Sequence, residues 1–432
     1  MAISWARARS TPGIGAIALA GAIGTIIEWY DFLIYGTAAA LVFNRLFFPT
    51  ADPRIGTLAA LGSFTVGFLA RPIGGAIFGH FGDRLGRKSM LMLTLVAMGL
   101  STAAIGLLPT HAQIGIAAPV LLVLLRVVQG IALGGEWGGA SLMVLEHAPP
   151  HRRGFYGSLV QVGFPIGLVS ASAVFSLMAS LPDADFSAWG WRIPFLVSLV
   201  LVGVGIFVRA RLPETPVFEA IQSRGEIARR PLLDMLLRHP RSFLIAIGLK
   251  ISEVSWVYML TVFAVVYATT KLGLSKSLML NAISLGALLE VATIPLFGHL
   301  SDRVGRRPLY LAGVAFTLLF AFPLFRLLDM KTPEIVILTV VAALNLGHGL
   351  MFAPESTYFP ELFGANIRYT GASAGFQVAA AIGGGFAPII AAALAGYMGG
   401  TAGVSIMLIL LAAVTLIATL LARETKNDAL FT

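Results

Sequence analysis

Charged side chains interrupt the long apolar stretches of this 432-residue sequence, and their types and spacing could do chemistry. In the stretch 114–145, Arg126, Gln129 and Glu136 fall within about 80° of arc on a helix that turns about 100° per residue. Such charges are costly in apolar surroundings unless they meet partners or water. We therefore predict that Arg126 and Gln129 bind a carboxylate and that Glu136 takes up a proton. The alternative is a buried salt bridge that holds helices together.

A second group of polar residues lies in the first apolar stretch. Glu28, Asp31 and Tyr35 share an arc of about 60° by the same geometry. A carboxylate in a low-dielectric cavity keeps its proton more readily than one in water. Asp31 and Glu28 are therefore predicted proton carriers, and Tyr35 is a predicted substrate contact. Alternatively, a cation such as Arg126 simply neutralises these acids.

The second half of the chain carries similar groups. Lys250 and Glu253 are three residues apart, so they are neighbours on a helix and either pair with each other or leave Lys250 to bind substrate. Asn345, His348 and Glu355 fall within about 80° of arc. We predict substrate contacts for Asn345 and His348. Histidine can shuttle protons, although a hydrogen-bonded structural histidine is the alternative.

The composition indicates which elements position these residues. Hydrophobic residues make up 57% of the chain and charged residues 12%, against about 45–50% and about 25% in ordinary soluble domains. The apolar stretches run continuously, which disfavours a β-barrel. Because a membrane helix needs about 20 apolar residues, we predict an all-α membrane protein with twelve transmembrane helices. The predicted spans are 13–43, 55–78, 89–108, 114–145, 155–180, 191–208, 242–270, 277–300, 309–328, 334–356, 369–395 and 401–421.

Several classes of function are disfavoured. The chain has no cysteine, which removes thiolate metal sites and cysteine nucleophiles. No convergent nucleophile or acid–base set is recognisable, so we predict no metal, no cofactor and no enzymatic activity. The net charge of +9 would suggest nucleic acid in a soluble chain, but the basic residues sit in short loops between spans. Glu290, in the middle of an apolar stretch, has no explanation from the sequence alone.

The distribution of basic residues predicts the topology. Of the 30 lysines and arginines, 20 fall on the side of both termini, 7 on the other side and 3 within spans or at their edges. Cytoplasmic loops carry the excess of such residues, so both termini are predicted to be cytoplasmic. Arg7 and Arg9 before the first stretch resemble a signal-peptide start, but no small-residue cleavage site follows. The first helix is therefore predicted to be retained.

The chain divides into two similar halves. The longest polar stretch, 209–241, is predicted to be a cytoplasmic linker between six-helix bundles at 1–208 and 242–432. The ten residues 79–88, GHFGDRLGRK, recur as GHLSDRVGRR at 298–307, with six identical positions and an offset of 219 residues. Each copy follows the second span of its half. This placement indicates parallel repeats related by an axis along the membrane normal.

The repeated decapeptide resembles the signature of the major facilitator superfamily. The sequences EWYDF at 28–32, RVVQG at 126–130, GGEWGG at 134–139 and WRIPF at 191–195 further resemble the metabolite:proton symporter family, particularly its shikimate-permease-like members. This family includes shikimate, α-ketoglutarate, citrate and proline/betaine permeases. The resemblance covers nearly the whole chain. It implies two six-helix bundles with one central site, but it does not identify the substrate.

The repeated motif is predicted to act as a latch, with contacts between helices that form only when the cytoplasmic side is closed. Glycines allow a tight turn and close helix approach, an aspartate can accept hydrogen bonds at a helix start, and basic residues can pair with acids at helix ends. The alternative is a basic anchor beside anionic lipid. The predicted gate residues are Gly79, Asp83, Arg84, Gly86, Arg87, Lys88, Asp302, Arg303 and Arg306.

Together these features predict a transporter of the plasma (inner) membrane. The expected function is proton-coupled uptake of a small metabolite, an organic carboxylate, by alternating access around one site. The chain is expected to act as a monomer, with substrate, proton and the lipid bilayer as its partners. A proton-independent facilitator, an exporter, and a symporter of a zwitterion such as betaine or proline remain alternatives. A membrane receptor would be expected to add a soluble signalling domain.

Overall fold

The computed structural model describes residues 12–49 and 53–430, and these residues fold into helices joined by short connections. Among these described residues, eleven helices are long and apolar enough to cross a membrane. A further helix of 33 residues follows the first of them in the chain. In chain order, spans one to twelve are Ile14–Leu46, Pro53–Leu85, Arg87–Leu107, Ala117–His147, Pro150–Ala179, Gly190–Ala210, Pro240–Thr270, Lys276–Val304, Arg306–Asp329, Pro333–Glu361, Arg368–Tyr397 and Ala402–Leu421. The predicted cations Arg7 and Arg9 lie outside the described residues.

The predicted fold class is confirmed, although several helices are longer than their apolar stretches. Span two was expected to end at residue 78 but continues to Leu85. The decapeptide is therefore the last turns of a helix, and the chain turns only at Gly86, whose φ is +103°. Hydropathy marks the membrane-embedded part of a helix, whereas the helix itself continues wherever its polar residues tolerate helical geometry. Span four begins at Ala117, after a short helix His111–Ile114 that ends at Gly115.

The spans form two six-helix bundles, spans one to six and spans seven to twelve. Within the first, the Tyr30 hydroxyl donates to the Pro194 carbonyl at 2.9 Å, joining spans one and six. Within the second, the Thr415 hydroxyl donates to the Gly248 carbonyl at 2.7 Å, joining spans twelve and seven. Across the halves, span two packs on span eleven, and span five packs on spans eight and ten. The site residues lie along these inter-bundle contacts.

Close contact between spans two and four depends on glycine. A side chain at Gly74 would collide with the Ile131 carbonyl, and one at Gly134 would collide with the Arg71 carbonyl. The two backbones therefore touch, as small residues allow between membrane helices. This contact fixes the position of Arg71 against span four.

The polar segment between the bundles contains two short helices, Pro216–Ser223 and Pro231–Arg238. Thr215 caps the first of them and accepts a hydrogen bond from the Phe218 amide at 3.3 Å. Leu233, Leu236 and Leu237 on the second are exposed. The predicted linker is thus partly helical. Its cytoplasmic position and the bundle limits at 208 and 242 stay predictions.

Candidate functional site

A small cavity of about 20 Å³ lies between the two bundles. Spans one, two and five line it from the first bundle, and spans seven, ten and eleven line it from the second. A site at this place can be reached from either side if the bundles rock against each other. Its polar lining residues are Trp29, Arg71, Lys250, Glu253, Tyr258 and His348.

Arg71 is the cation that the first bundle contributes to the cavity. Its side chain is buried, and its Nε donates to the Gln377 side-chain oxygen at 2.8 Å, across the bundle interface. The guanidinium also lies 6.0 Å from the Trp29 ring centre and 5.5 Å from that of Phe32. Among the described residues, no carboxylate lies within ion-pair distance of it. The predicted substrate contacts did not include Arg71, although a lone arginine in an apolar stretch is a recognisable signal.

Lys250 is the cation that the second bundle contributes. It forms ion pairs with Glu253 and with Glu355, the latter at 2.7 Å. Glu355 also accepts a hydrogen bond from the Tyr310 hydroxyl at 3.0 Å. The structure thus shows the pairing of Lys250 with Glu253 that was considered from the sequence, and Lys250 also lines the cavity. Its contact with substrate stays a prediction.

The His348 imidazole lies between two acids. One is Glu253, which pairs with Lys250, and the other is Glu290, which the sequence left unexplained. Its Nε2 lies 2.9 Å from a Glu253 oxygen, and its Nδ1 lies 2.6 Å from a Glu290 oxygen. The ring stacks on Phe352 at 4.5 Å between centres and meets the edge of Phe164 at 5.3 Å. All three ionisable side chains are buried. Spans seven, eight and ten therefore converge on one imidazole.

Asp31 lies inside the first bundle, away from the cavity lining. One of its oxygens accepts hydrogen bonds from the Thr102 hydroxyl at 3.1 Å and the Ser198 hydroxyl at 2.8 Å. The other oxygen has no hydrogen-bond partner among the described residues. Neither Arg126 nor Lys250 pairs with it, so the neutralised arrangement considered from the sequence is not observed. Its role in proton transfer stays a prediction.

The other two predicted proton carriers have different surroundings. Glu136 forms an ion pair with Arg209 of span six and accepts a hydrogen bond from the Thr94 hydroxyl at 2.6 Å. This is the buried salt bridge that was the alternative for Glu136. Glu28 is buried, and one of its oxygens has no hydrogen-bond partner among the described residues. Neither acid lines the cavity.

The predicted anion site around Arg126 is an aromatic cage inside the first bundle. Its guanidinium lies 4.1 Å from the centre of the Tyr35 ring and 4.4 Å from that of Phe32, and its Nη1 donates to Gln129 at 2.5 Å. The Tyr35 hydroxyl is bonded to Ser63 at 2.7 Å. The structure brings these three predicted residues together, but none of them lines the cavity. Glu136, on the same helix face, lies about 15 Å further along span four.

Asn345 is also removed from the cavity. Its side-chain oxygen accepts from the Thr293 hydroxyl at 2.6 Å, and its amide donates to the Gly286 carbonyl at 3.1 Å. These bonds tie span ten to span eight, which is a structural arrangement. Of the six predicted substrate contacts, Lys250 and His348 line the cavity.

Both copies of the repeated motif lie at one end of the molecule, which we call the motif side, and both aspartates bridge the bundles. Asp83 accepts hydrogen bonds from the Tyr369 amide at 3.2 Å and the Thr370 amide at 2.9 Å, at the start of span eleven. Asp302 accepts from the amides of Gly154 and Phe155 at 2.7 and 2.9 Å, near the start of span five. This is the geometry that the latch hypothesis requires.

The basic residues of the motif reach acids that the sequence analysis missed. Arg87 lies 3.6 Å from Glu146 at the end of span four, and Arg306 lies 3.5 Å from Glu361 at the end of span ten. Glu146 also pairs with Arg368 of span eleven at 3.4 Å. Glu146 and Glu361 occupy equivalent positions in the two halves, and this repetition is a sequence signal by which they could have been identified.

The remaining predicted gate residues divide into buried and exposed. A side chain at Gly79 would collide with the backbone of Thr370, so this glycine permits the contact between spans two and eleven. Lys88 donates to the Ala210 carbonyl at 3.1 Å within the first bundle. Arg84 and Arg303 are exposed. The two exposed cations match the lipid-anchor alternative better than the latch.

The fold and the doubled motif define the class of protein, and a family model agrees. The model of the Major Facilitator Superfamily matches residues 55–388 and 254–430. The chain belongs to this superfamily, whose members are transporters. The resemblance predicted from the sequence is therefore confirmed.

Several similar proteins are transporters of small molecules. The chain is 48% identical to the shikimate transporter of Escherichia coli K12 over 386 residues, which is 89% of this chain and 88% of that protein. It is 42% identical over 420 residues to the E. coli inner membrane metabolite transport protein YhjE, covering 96% and 95% of the two chains. It is 35% identical over 427 residues to the E. coli proline/betaine transporter, covering 95% and 84%.

Solved structures agree on the fold. The proton:xylose symporter XylE bound to 6-bromo-6-deoxy-D-glucose has a TM-score of 0.77 at 20% identity, covering 97% of this chain and 98% of that chain. The inward open conformation of XylE has a TM-score of 0.62 at 17% identity, covering 96% and 98%. At these identities the similarity concerns the fold alone.

Proposed function

We propose that this protein takes up a small organic carboxylate together with a proton, by alternating access around the cavity between its two bundles. The observation that carries the proposal is the pair of buried cations, Arg71 and Lys250, that line this cavity from opposite bundles. A carboxylate placed between them would be attracted by both and would hold the bundles together. Cations are costly in a membrane interior, so their presence at the central cavity favours an anionic ligand.

Two neutral donors in the cavity support an oxygen-rich ligand. Within the described residues, the Trp29 indole N–H makes no hydrogen bond, and the Tyr258 hydroxyl, whose oxygen faces the Arg71 guanidinium, donates none. A buried donor without an acceptor costs free energy, which a ligand hydroxyl or carboxylate would recover. The relative named a shikimate transporter makes shikimate, a hydroxylated cyclic carboxylate, the first substrate to test.

Proton coupling is supported by the buried acids of the first bundle. Asp31 is fully buried and has hydroxyl partners but no cation among the described residues. Burial of an ionised carboxylate costs free energy. Asp31 would therefore bind a proton when water is excluded from its surroundings and release the proton when water reaches it. Glu28 is the second candidate, and Glu136 with its Arg209 partner is the third.

The proposal includes an orientation and an oligomeric state. Both termini and the motif side face the cytoplasm of an inner membrane, because the excess of lysine and arginine lies on that side. The Asp83 and Asp302 contacts then close the cytoplasmic side in this conformation. The cavity lies within a single chain, so a monomer is sufficient for transport.

The alternatives predict different outcomes in one experiment. Purified protein in proteoliposomes is tested for counterflow with shikimate, citrate, 2-oxoglutarate, proline and glycine betaine, and each active substrate is then tested with and without an imposed pH gradient. Carboxylate counterflow with accumulation driven by an inward proton gradient supports the proposal. Counterflow without gradient-driven accumulation indicates a facilitator, and activity with proline or betaine alone indicates a zwitterion transporter.

A further inference from the structure

We propose that Glu253, His348 and Glu290 form a second proton site, in the second bundle, that links the protonation of the carrier to substrate binding at Lys250. The inference rests on the proposed function and adds a coupling site to it. Glu253 and His348 line the cavity, whereas Asp31, Glu28 and Glu136 do not. The proton and the substrate would therefore meet at these residues.

The hydrogen bonds of His348 require an extra proton. Both ring nitrogens face carboxylate oxygens, Nε2 at 2.9 Å and Nδ1 at 2.6 Å. A neutral imidazole has one N–H and one lone pair, so it can donate to only one of two ionised carboxylates. Both hydrogen bonds form only if the ring is an imidazolium or if one of the acids is protonated. The observed arrangement is thus the protonated form of the triad.

The charge of the whole cluster indicates why that proton matters. Glu253, Glu290 and Glu355 contribute three carboxylates, against the ammonium of Lys250 and the guanidinium of Arg71 that lines the same cavity. With neutral histidine the net charge is −1, and one added proton makes it zero. A bound monocarboxylate returns it to −1, so the empty carrier and the carrier loaded with proton and substrate have the same charge. The carrier with substrate alone would have −2, and buried unpaired charge of this kind is strongly unfavourable.

Equal charge in the empty and fully loaded states is what coupling needs. Symport requires that these two states reorient readily and that the half-loaded states do not. Lys250 makes the connection, because it pairs with Glu253 and also lines the cavity. A substrate carboxylate that pairs with Lys250 competes with Glu253 for the ammonium. Glu253 then interacts with protonated His348 instead, so substrate binding favours the protonated triad.

The other charged and titratable groups around the triad do not replace it. Arg71 and Tyr258 face the same cavity, and Tyr310 donates to Glu355. The guanidinium stays charged and the two phenols stay neutral over the range in which transport is measured. Spans five and ten cover the imidazole with the rings of Phe164 and Phe352. The triad and Glu355 beside Lys250 are therefore the groups in this cluster that can gain or lose a proton during the cycle, and of these Glu253 and His348 line the cavity.

The test measures how substrate affinity depends on pH. The ligand is shikimate, or the carboxylate with the strongest counterflow, and its dissociation constant is measured in detergent from pH 5 to pH 9. We expect the wild-type affinity to fall by about tenfold per pH unit on the alkaline side, the slope for one linked proton. In Glu290→Gln and His348→Gln, the slope should fall below about twofold per unit. Because Glu290 does not line the cavity, its variant should keep near wild-type affinity at the lowest pH.

Controls separate this inference from the proposed function. Glu334→Gln, which changes an exposed acid at the start of span ten, should keep the wild-type slope. Thermal melting in detergent identifies folded variants, and calorimetry of the wild type in two buffers of different ionisation enthalpy counts the protons bound. Zero protons bound with substrate, or a wild-type slope in both triad variants, would overturn the inference. Absence of any wild-type carboxylate counterflow would instead overturn the proposed function.

Discussion

Asp83 of span two and Thr370 of span eleven are joined by two hydrogen bonds to the same carboxylate oxygen, 2.9 Å from the Thr370 amide and 2.7 Å from its hydroxyl. These bonds connect the two bundles on the motif side. Asp302 makes the corresponding connection to Gly154, at 2.7 Å. The two contacts are related by the internal repeat, so the motif side is closed by two similar clasps.

The first prediction concerns the Asp83 clasp. Asp83→Asn keeps the volume but removes the charge that favours a helix start, and its amide can satisfy fewer of the three donors. We expect normal insertion and uptake reduced at least about tenfold, since hydrogen bonds to charged groups contribute about 1.5–3 kcal/mol. Asp302→Asn should have a smaller effect, because Asp302 accepts two inter-bundle hydrogen bonds instead of three. Full uptake by Asp83→Asn would exclude the latch.

A second prediction concerns Arg71. A guanidinium grips a carboxylate through two parallel hydrogen bonds, which a lysine ammonium does not match. Arg71→Lys should raise the KM for a carboxylate substrate about tenfold with little change in maximal rate, and Arg71→Gln should raise it further. Uptake kinetics in proteoliposomes measure both values, with the exposed Arg229→Gln as control. An unchanged KM in folded Arg71→Gln would remove Arg71 from the substrate site.

The third prediction concerns Arg126, which is caged by aromatic rings instead of facing the cavity. Arg126→Ala would leave Gln129 without its 2.5 Å partner and the cage around Tyr35 unfilled, so uptake should be abolished. Arg126→Lys should weaken apparent substrate affinity, because lysine cannot reproduce the planar stacking. Normal uptake by a correctly folded Arg126→Ala would show that the residue is neither an anion site nor an essential support.

The fourth prediction separates symport from facilitated diffusion and rests on Asp31. Asparagine resembles the protonated acid in size and hydrogen-bonding capacity, but it cannot release a proton. Asp31→Asn should therefore lose gradient-driven accumulation and keep measurable counterflow, in which the proton can stay bound. Loss of both activities would indicate a structural or substrate role. Retained accumulation would assign the binding and release of the coupled proton to Glu28 or Glu136 instead.

A fifth prediction concerns the contact between spans two and four. A methyl group at Gly74 would collide with the Ile131 carbonyl, whereas nothing lies within 4 Å of the corresponding position at Gly203. Overpacking of this kind costs about 1–3 kcal/mol. Gly74→Ala should lower the melting temperature in detergent, and Gly203→Ala should not. Equal melting temperatures would show that the two helices can move apart without cost.

The amino-acid sequence determined the number and order of the helices, the division into two halves and the family. Continuous apolar stretches report membrane helices because lipid requires every backbone group to bond within its own helix. The repeat at 79–88 and 298–307 predicted two aspartates at equivalent places in the two halves, and the structure has both at the bundle interface. Helical periodicity likewise predicted that Lys250 and Glu253 are neighbours.

Only the tertiary structure decided which charged residues meet. Glu290 had no explanation in the sequence because its partner, His348, lies 58 residues away on another helix. Arg126 and Arg71 looked alike as single arginines in apolar stretches, yet one is enclosed by aromatic rings of its own bundle and the other lines the cavity. Periodicity places a side chain on one face of a helix, but the neighbour of that face depends on how the helices pack, and that arrangement is set by contacts distant in sequence.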